Sequence, residues 1–178
     1  MKIRRATIDD SPALAHIQVD SYRTAYATFF PQTYLDHFSY EEETQDWRNI
    51  LTSAHNEVLF VAEDEQNKIV GYALGKINPD PKGQFDCSLT AIHVHPSRYR
   101  QGIGRQLLVA VVKALQAHGC RALWLSTLPG NSAQTWYERL GGVPIGEERY
   151  TVDEREIVEI KYGWSDIAVL LQYADRQN

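Results

Sequence analysis

His95-Pro96-Ser97-Arg98-Tyr99-Arg100-Gln101-Gly102-Ile103-Gly104-Arg105 decides how the chain is read, because it joins two segments of opposite periodicity. Before it, Ser88 to Val94 is short and rich in apolar and β-branched residues, the composition of a strand. After it, Ile103, Leu107, Leu108, Val111, Val112 and Leu115 fall on one face of a helix that Gly119 closes. A strand, a glycine loop and a helix start in that order make an anion site. Backbone N–H groups point outward at the turn, and the helix N-terminus adds partial positive charge. Glycine also removes the Cβ that would hold a phosphate away, and Gly102 and Gly104 supply that access. Two glycines serve a tight turn equally well. A dinucleotide fingerprint needs a third glycine where Leu107 stands, and a P-loop needs a Gly-Lys-Ser/Thr that is absent.

On the N-terminal side, Lys2 to Thr7 reads as a strand. Asp9-Asp10-Ser11-Pro12 then starts a helix whose apolar and aromatic spacing runs from Ala13 to Phe30 before Pro31. A short helix and one over Glu41 to Leu51 follow. Glu57 to Glu63, Lys68 to Ile77 and Ser88 to Val94 predict an antiparallel meander. On the C-terminal side the pattern predicts a strand over Arg121 to Thr127 and a helix from Asn131 to Leu140. Strands near Gly146 to Val152 and Glu154 to Tyr162 and a helix over Asp166 to Tyr173 complete it. The expected fold class is α/β, a mixed central sheet with helices on both faces.

With 178 residues, 43% of them apolar, the chain is expected to form one domain over residues 1–178. A net charge of -5 and the lack of a Lys/Arg run argue against a nucleic-acid partner. No apolar run suits a membrane span, and Met1 to Pro12 has no apolar signal core, so the expected location is cytoplasmic. Cys87 and Cys120 lie far apart in sequence, with no neighbouring His at ligand spacing. They read as buried thiols, with no disulfide framework and no metal.

Tyr99-Arg100-Gln101-Gly102-Ile103-Gly104 resembles the motif of the GCN5-related N-acetyltransferases: Gln or Arg, two residues, Gly, one residue, and Gly or Ala. The Ile92-His93-Val94-His95-Pro96 lead-in and the Gly104-Arg105-Gln106-Leu107-Leu108 continuation look like that family too. Tyr99 departs from it at the Gln/Arg position, between Arg98 and Arg100. A second match lies downstream in Asn131-Ser132-Ala133-Gln134-Thr135-Trp136-Tyr137, followed by Gly141. It resembles the family's Asn-x-x-Ala-x-x-aromatic-Tyr-x-x-x-Gly helix with the alanine shifted by one residue.

The resemblance implies a GNAT-like acyl-CoA N-acyltransferase fold and acetyl-CoA as cosubstrate. The pyrophosphate would lie on the loop amides, with Tyr99, Arg100, Gln101, Gly102, Ile103, Gly104, Arg105 and Asn131 as cofactor-binding residues. A backbone N–H of Ile92, His93 or Val94 would hold the oxyanion. Tyr137 would protonate the departing thiolate, the alternative being that it only hydrogen-bonds the sulfur or packs. The family's glutamate position on the strand before the loop matches Ser88. Asp86 acting through water, His93 and solvent therefore all stay open as the base. Tyr22 and Tyr26, four apart on a helix, are candidates for the acceptor site together with Asp86.

The acceptor that the resemblance implies is an amine on a small molecule or peptide. A CoA-binding module without catalysis, or transfer of another acyl group or to another acceptor, is the alternative reading. The apolar last helix, with Ile167, Val169, Leu170 and Leu171, could cover the protein's own sheet or a second copy in a homodimer.

Overall fold

The computed structural model describes residues 1–53, 56–77 and 83–175. Its N-terminal elements are β1 (Lys2–Arg5), α1 (Ser11–Thr24), α2 (Gln32–Asp36), α3 (Tyr40–Ser53), β2 (Glu57–Glu63), β3 (Ile69–Ile77) and β4 (Cys87–Val94). They are followed by α4 (Ile103–Ala117), β5 (Leu123–Thr127), α5 (Ser132–Arg139), β6 (Val143–Val152), β7 (Arg155–Trp164) and α6 (Ala168–Asp175). The strands form one sheet in the order β1-β2-β3-β4-β5-β7-β6. Every pairing is antiparallel except that of β4 with β5. The expected mixed α/β sheet is the one observed.

One face carries α4, whose Leu107, Val111, Val112 and Leu115 are fully buried against β2 and β3, with α5 and α6 beside it. The contact is close: a Cβ on Gly75 of β3 would stand 2.6 Å from Val111 Cγ1, so a glycine is needed there for α4 to lie this near the sheet. Ile167 and Leu170 of α6 are 1% exposed and belong to this same core, so α6 covers the protein's own fold. The other face carries α1 and α3, with Leu14, Ile17 and Trp47 packed on Leu59, Val61 and Tyr72.

Two boundaries differ from the sequence reading. Helix α1 stops at Thr24 instead of running to Phe30. The Thr24 hydroxyl donates to the Asp20 carbonyl at 2.6 Å, an interaction that bends helix ends, and Ala25 and Tyr26 both donate to the Ser21 carbonyl. The chain then turns about Tyr26, whose carbonyl accepts from Phe29 and Phe30, and the aromatic rings gather on one side. Strand β6 begins at Val143, before Gly146. That glycine, at φ +151°, sits where the register with β7 shifts, so it marks an irregularity inside the strand and not its start.

Strand β4 also contains an irregularity. Its partners on β3 step from Ala91 to Leu89 while β3 advances by one residue, which leaves Thr90 as the extra residue. Cys87 and Leu89 before it pack under α4. After it Ile92 and Val94 do so, while Ala91 and His93 face α1. Among the described residues no helix is long and apolar enough to cross a membrane.

Candidate active site

The parallel pair β4–β5 is joined only at Cys87–Leu123 and Ser88–Trp124. Beyond those residues the two strands part, and the edge of β4 from Leu89 to Val94 has no strand against it on the β5 side. The N–H groups of Ile92 and Val94 point toward this gap, whereas that of His93 points to β3, in phase with His95, whose N–H donates to the Val70 carbonyl at 2.8 Å. The gap opens at the carboxyl ends of the strands, where crevices in α/β sheets take their ligands. Helices α4 and α5 start at this end.

At the α4 start, Arg100 (φ 60°) and Gly102 (φ 74°) both adopt the left-handed conformation, which turns the chain sharply into the helix. Gln106 donates to the Gly102 carbonyl at 3.1 Å. The N–H groups of Gln101, Gly102, Ile103, Gly104 and Arg105 donate to no described residue. A Cβ on Gly102 would meet nothing within 4 Å, and one on Gly104 only Val94 Cγ2 at 3.8 Å. The loop therefore presents open space in front of unpaired amides, the arrangement that holds a phosphate. Tyr99, at the position where the family motif has Gln or Arg, is 49% exposed. Arg98 is held away by Asp64 at 2.9 Å.

At the α5 start, Asn131 caps the helix, its Oδ1 accepting from Ala133 N at 2.9 Å. Tyr137 lies in the second turn and is only 6% exposed. Its hydroxyl bonds no described residue, and it is not sealed, since Trp47 Nε1 alone is a buried side-chain polar atom without a partner among the described residues. Burial, followed by the neighbouring Tyr26, pushes the phenol well above its ordinary value. Tyr137 is therefore a protonated donor at any ordinary pH.

On the other side of the gap, α1 and the turn after it deliver aromatic rings. Tyr22 and Tyr26 stack at 5.0 Å, and Tyr22 stacks on Phe38 at 4.4 Å. The His93 ring lies among Tyr72 (5.2 Å), Tyr26 (5.9 Å) and Tyr22 (6.5 Å). Burial among these rings lowers its pKa to about 4, so His93 is neutral near pH 7. Burial raises Tyr26, and the Asn131 side chain opposes it, which brings the α1 turn next to the start of α5. Tyr22, Tyr26, His93, Asn131 and Tyr137 thus share one neighbourhood.

Asp86 does not join them. It precedes the closed end of the β4–β5 pair, and its carboxylate accepts from Arg121 N (3.0 and 2.9 Å) and Ala122 N (2.9 Å), tying down the start of β5. Cys87 and Cys120, distant in sequence, meet beside it: their sulfurs and an Asp86 oxygen lie within 4.8 Å of one another. Both cysteines are free and buried, and burial raises both thiols.

The sequence reading missed Glu159. This β7 carboxylate accepts from Tyr150 Oη at 2.8 Å and from Ser126 Oγ. It shares a sheet face with Ile157, buried in the same aromatic cluster as Tyr22, Tyr26 and Tyr150. Its signal was a carboxylate at the inward phase of an alternating strand, two places along from Ile157.

The model of the acetyltransferase (GNAT) family matches residues 19–142, which contain Tyr22, Tyr26, β4, the α4 loop and α5. The chain belongs to the acetyltransferase (GNAT) family. Among curated relatives, the acetyltransferase is 29% identical to the N-acetyltransferase YuaI of Bacillus subtilis over 175 residues, 98% of each chain. Its fold is that of the ribosomal-protein-alanine N-acetyltransferase of Brucella melitensis, at a TM-score of 0.71 and 24% identity, over 92% of this chain and 99% of that one. The PaiA N-acetyltransferase of Thermoplasma acidophilum, solved in complex with coenzyme A, superposes at a TM-score of 0.68 and 17% identity, over 92% and 98%.

Proposed function

We propose that this acetyltransferase moves the acetyl group of acetyl-CoA directly onto a primary amine. The observation that carries the reading is the parting of β4 and β5 beyond Ser88–Trp124, which leaves one passage between the open α4 loop and the Tyr22–Tyr26–His93 wall. The pyrophosphate takes the amides of Gln101 to Arg105, with Tyr99, Arg100 and Asn131 at the rim. The thioester lies along the free edge of β4, where the N–H of Ile92 or Val94 donates to the oxyanion, the His93 N–H being turned to β3. A neutral amine attacks the carbonyl carbon, the C–S bond breaks, and Tyr137 protonates the thiolate. The amine gives its extra proton to solvent, and solvent restores the phenol.

The same observations support Tyr22 and Tyr26 as acceptor-binding groups and give Asp86 the task of anchoring the start of β5. They also support His93 as a neutral wall residue that contributes its ring, its amide being turned to β3. Free, buried thiols suit a reducing compartment, so we place the activity in the cytoplasm. The test is release of free CoA thiol from acetyl-CoA with a panel of primary amines, with acetylated product identified by mass. Amine-dependent release with a product gain of one acetyl group supports the reading. Hydrolysis of acetyl-CoA at one rate with and without every amine contradicts it.

A further inference from the structure

Glu159 is a half-buried carboxylate without a cation. Among the described residues no Lys, Arg or His pairs with it, and the cations near it on β6 and β7 are engaged elsewhere: Lys161 with Glu148 at 2.8 Å, Arg149 with Glu147 and Glu156. A partly buried carboxylate gains from a cationic partner. Tyr150 and Ser126 fill one acceptor position on each oxygen and aim the group, and a carboxylate has about four such positions. Two remain.

The free positions belong to a built surface. Ser126 on β5 and Glu159 on β7 lie on the sheet face that His93 occupies on β4, on the opposite lip of the gap. Tyr22, Tyr26, Phe29, Tyr34 and Tyr150 pack around Phe30, Leu35 and Ile157 on that face. The Glu159 charge reaches the phenols of Tyr22 and Tyr26, and Tyr26 in turn neighbours Tyr137. Tyr26 thus feels the charge of Glu159, and Tyr137 in turn that of Tyr26. The other carboxylate near the cluster, Glu43, lies on α3 and accepts from Gln18 Nε2 at 2.7 Å.

We propose that Glu159 is the specificity-determining residue of the acceptor site, binding a cationic group of the acceptor other than the neutral primary amine that is acetylated, with the acceptor's hydrocarbon part against the Tyr22–Tyr26–Tyr34 rings. The inference rests on the acetyl-transfer reading above. It selects acceptors that carry a second, cationic amine on an apolar chain, held by a charge-assisted hydrogen bond at that end and by aromatic contact along the chain.

The test uses the whole chain at pH 7.5 with saturating acetyl-CoA and the probes 1,4-diaminobutane, 1,6-diaminohexane, hexylamine and hydroxylamine, of which only the two diamines keep a cation once one amine is neutral. Glu159→Gln keeps the shape and a partner for Tyr150 and Ser126 but removes the charge. For the better diamine its KM is expected to rise about 10- to 100-fold, as for loss of a hydrogen bond to a charged group, with a smaller change in kcat. The loss for hexylamine and hydroxylamine is expected to be smaller. The stabilisation that acetyl-CoA gives should match that of the unaltered protein.

Equal KM values for the diamine in both proteins overturn the proposal. So does a lack of turnover with both diamines in a protein that acetyl-CoA stabilises. If acetyl-CoA stabilises neither protein, the acetyl-transfer reading itself falls, and the proposal with it. Should the variant not fold, the unaltered protein still decides: hexylamine should compete at least 10-fold better than 1-hexanol against the turned-over amine, and equal competition refutes the role of charge.

Discussion

Replacing His93 by glutamine should remove a pH-dependent part of the protein's stability. His93 lies among Tyr22, Tyr26 and Tyr72, and burial lowers its pKa from 6.5 to about 4. The unfolded chain takes up a proton at this residue near pH 6.5, whereas the folded protein resists until near pH 4. Between those values the unfolded state binds more protons, so stability falls as pH falls through the window and levels off below it. At about 1.4 kcal/mol per unit, the wild type loses about 3 kcal/mol across it relative to a variant without the imidazole. None of the three phenols facing His93 titrates there, and other groups cancel in the comparison of the two proteins. Urea unfolding of wild type and His93→Gln at several values between pH 7.5 and 4 measures the difference. Stability curves that stay parallel would refute the buried, neutral imidazole, and with it the exclusion of His93 as a charged group in the gap.

Tyr137→Phe is expected to lower kcat about 10²- to 10⁴-fold while leaving the thermal shift with acetyl-CoA intact; an unchanged kcat removes the phenol from the proton-donor role. Gly71→Ala should cost about 1–3 kcal/mol, because its Cβ would stand 2.9 Å from the His93 carbonyl oxygen and 3.2 Å from Leu107 Cδ1 and would push β3 from β4. Calorimetry checks it, and an unchanged melting temperature contradicts the packing described at that strand pair.

The loop and α4 were legible because glycine at a strand-to-helix turn and a one-sided apolar helix are local signals, and both lie within a few residues of each other. The meander was legible for the same reason, since short links make neighbours of consecutive strands. The parting of β4 from β5 was not, because it depends on how far two strands separated by all of α4 keep in register. Asp86 was misplaced for a related reason: a regular strand carried it into the gap by sequence spacing, while the fold uses it to hold the start of β5. Glu159 carries no motif. Its meaning comes from Ser126, Tyr150 and Tyr22, three residues on other elements that only the sheet order β5-β7-β6 and the turn after α1 bring to it.

The central claim is that the α4 loop binds acetyl-CoA, and thermal unfolding of wild type and Gly104→Leu with and without acetyl-CoA tests it most directly. The added side chain meets only Val94 Cγ2 at Cβ distance, so the variant should fold normally while blocking the approach to the amides. At a hundred times its dissociation constant the ligand stabilises the wild type by about 2.7 kcal/mol, a rise of about 5–10 °C for a domain of this size. The account predicts that rise in the wild type and little or none in Gly104→Leu at the same concentration. Equal rises in both proteins, or none in the wild type at saturating acetyl-CoA, would contradict it.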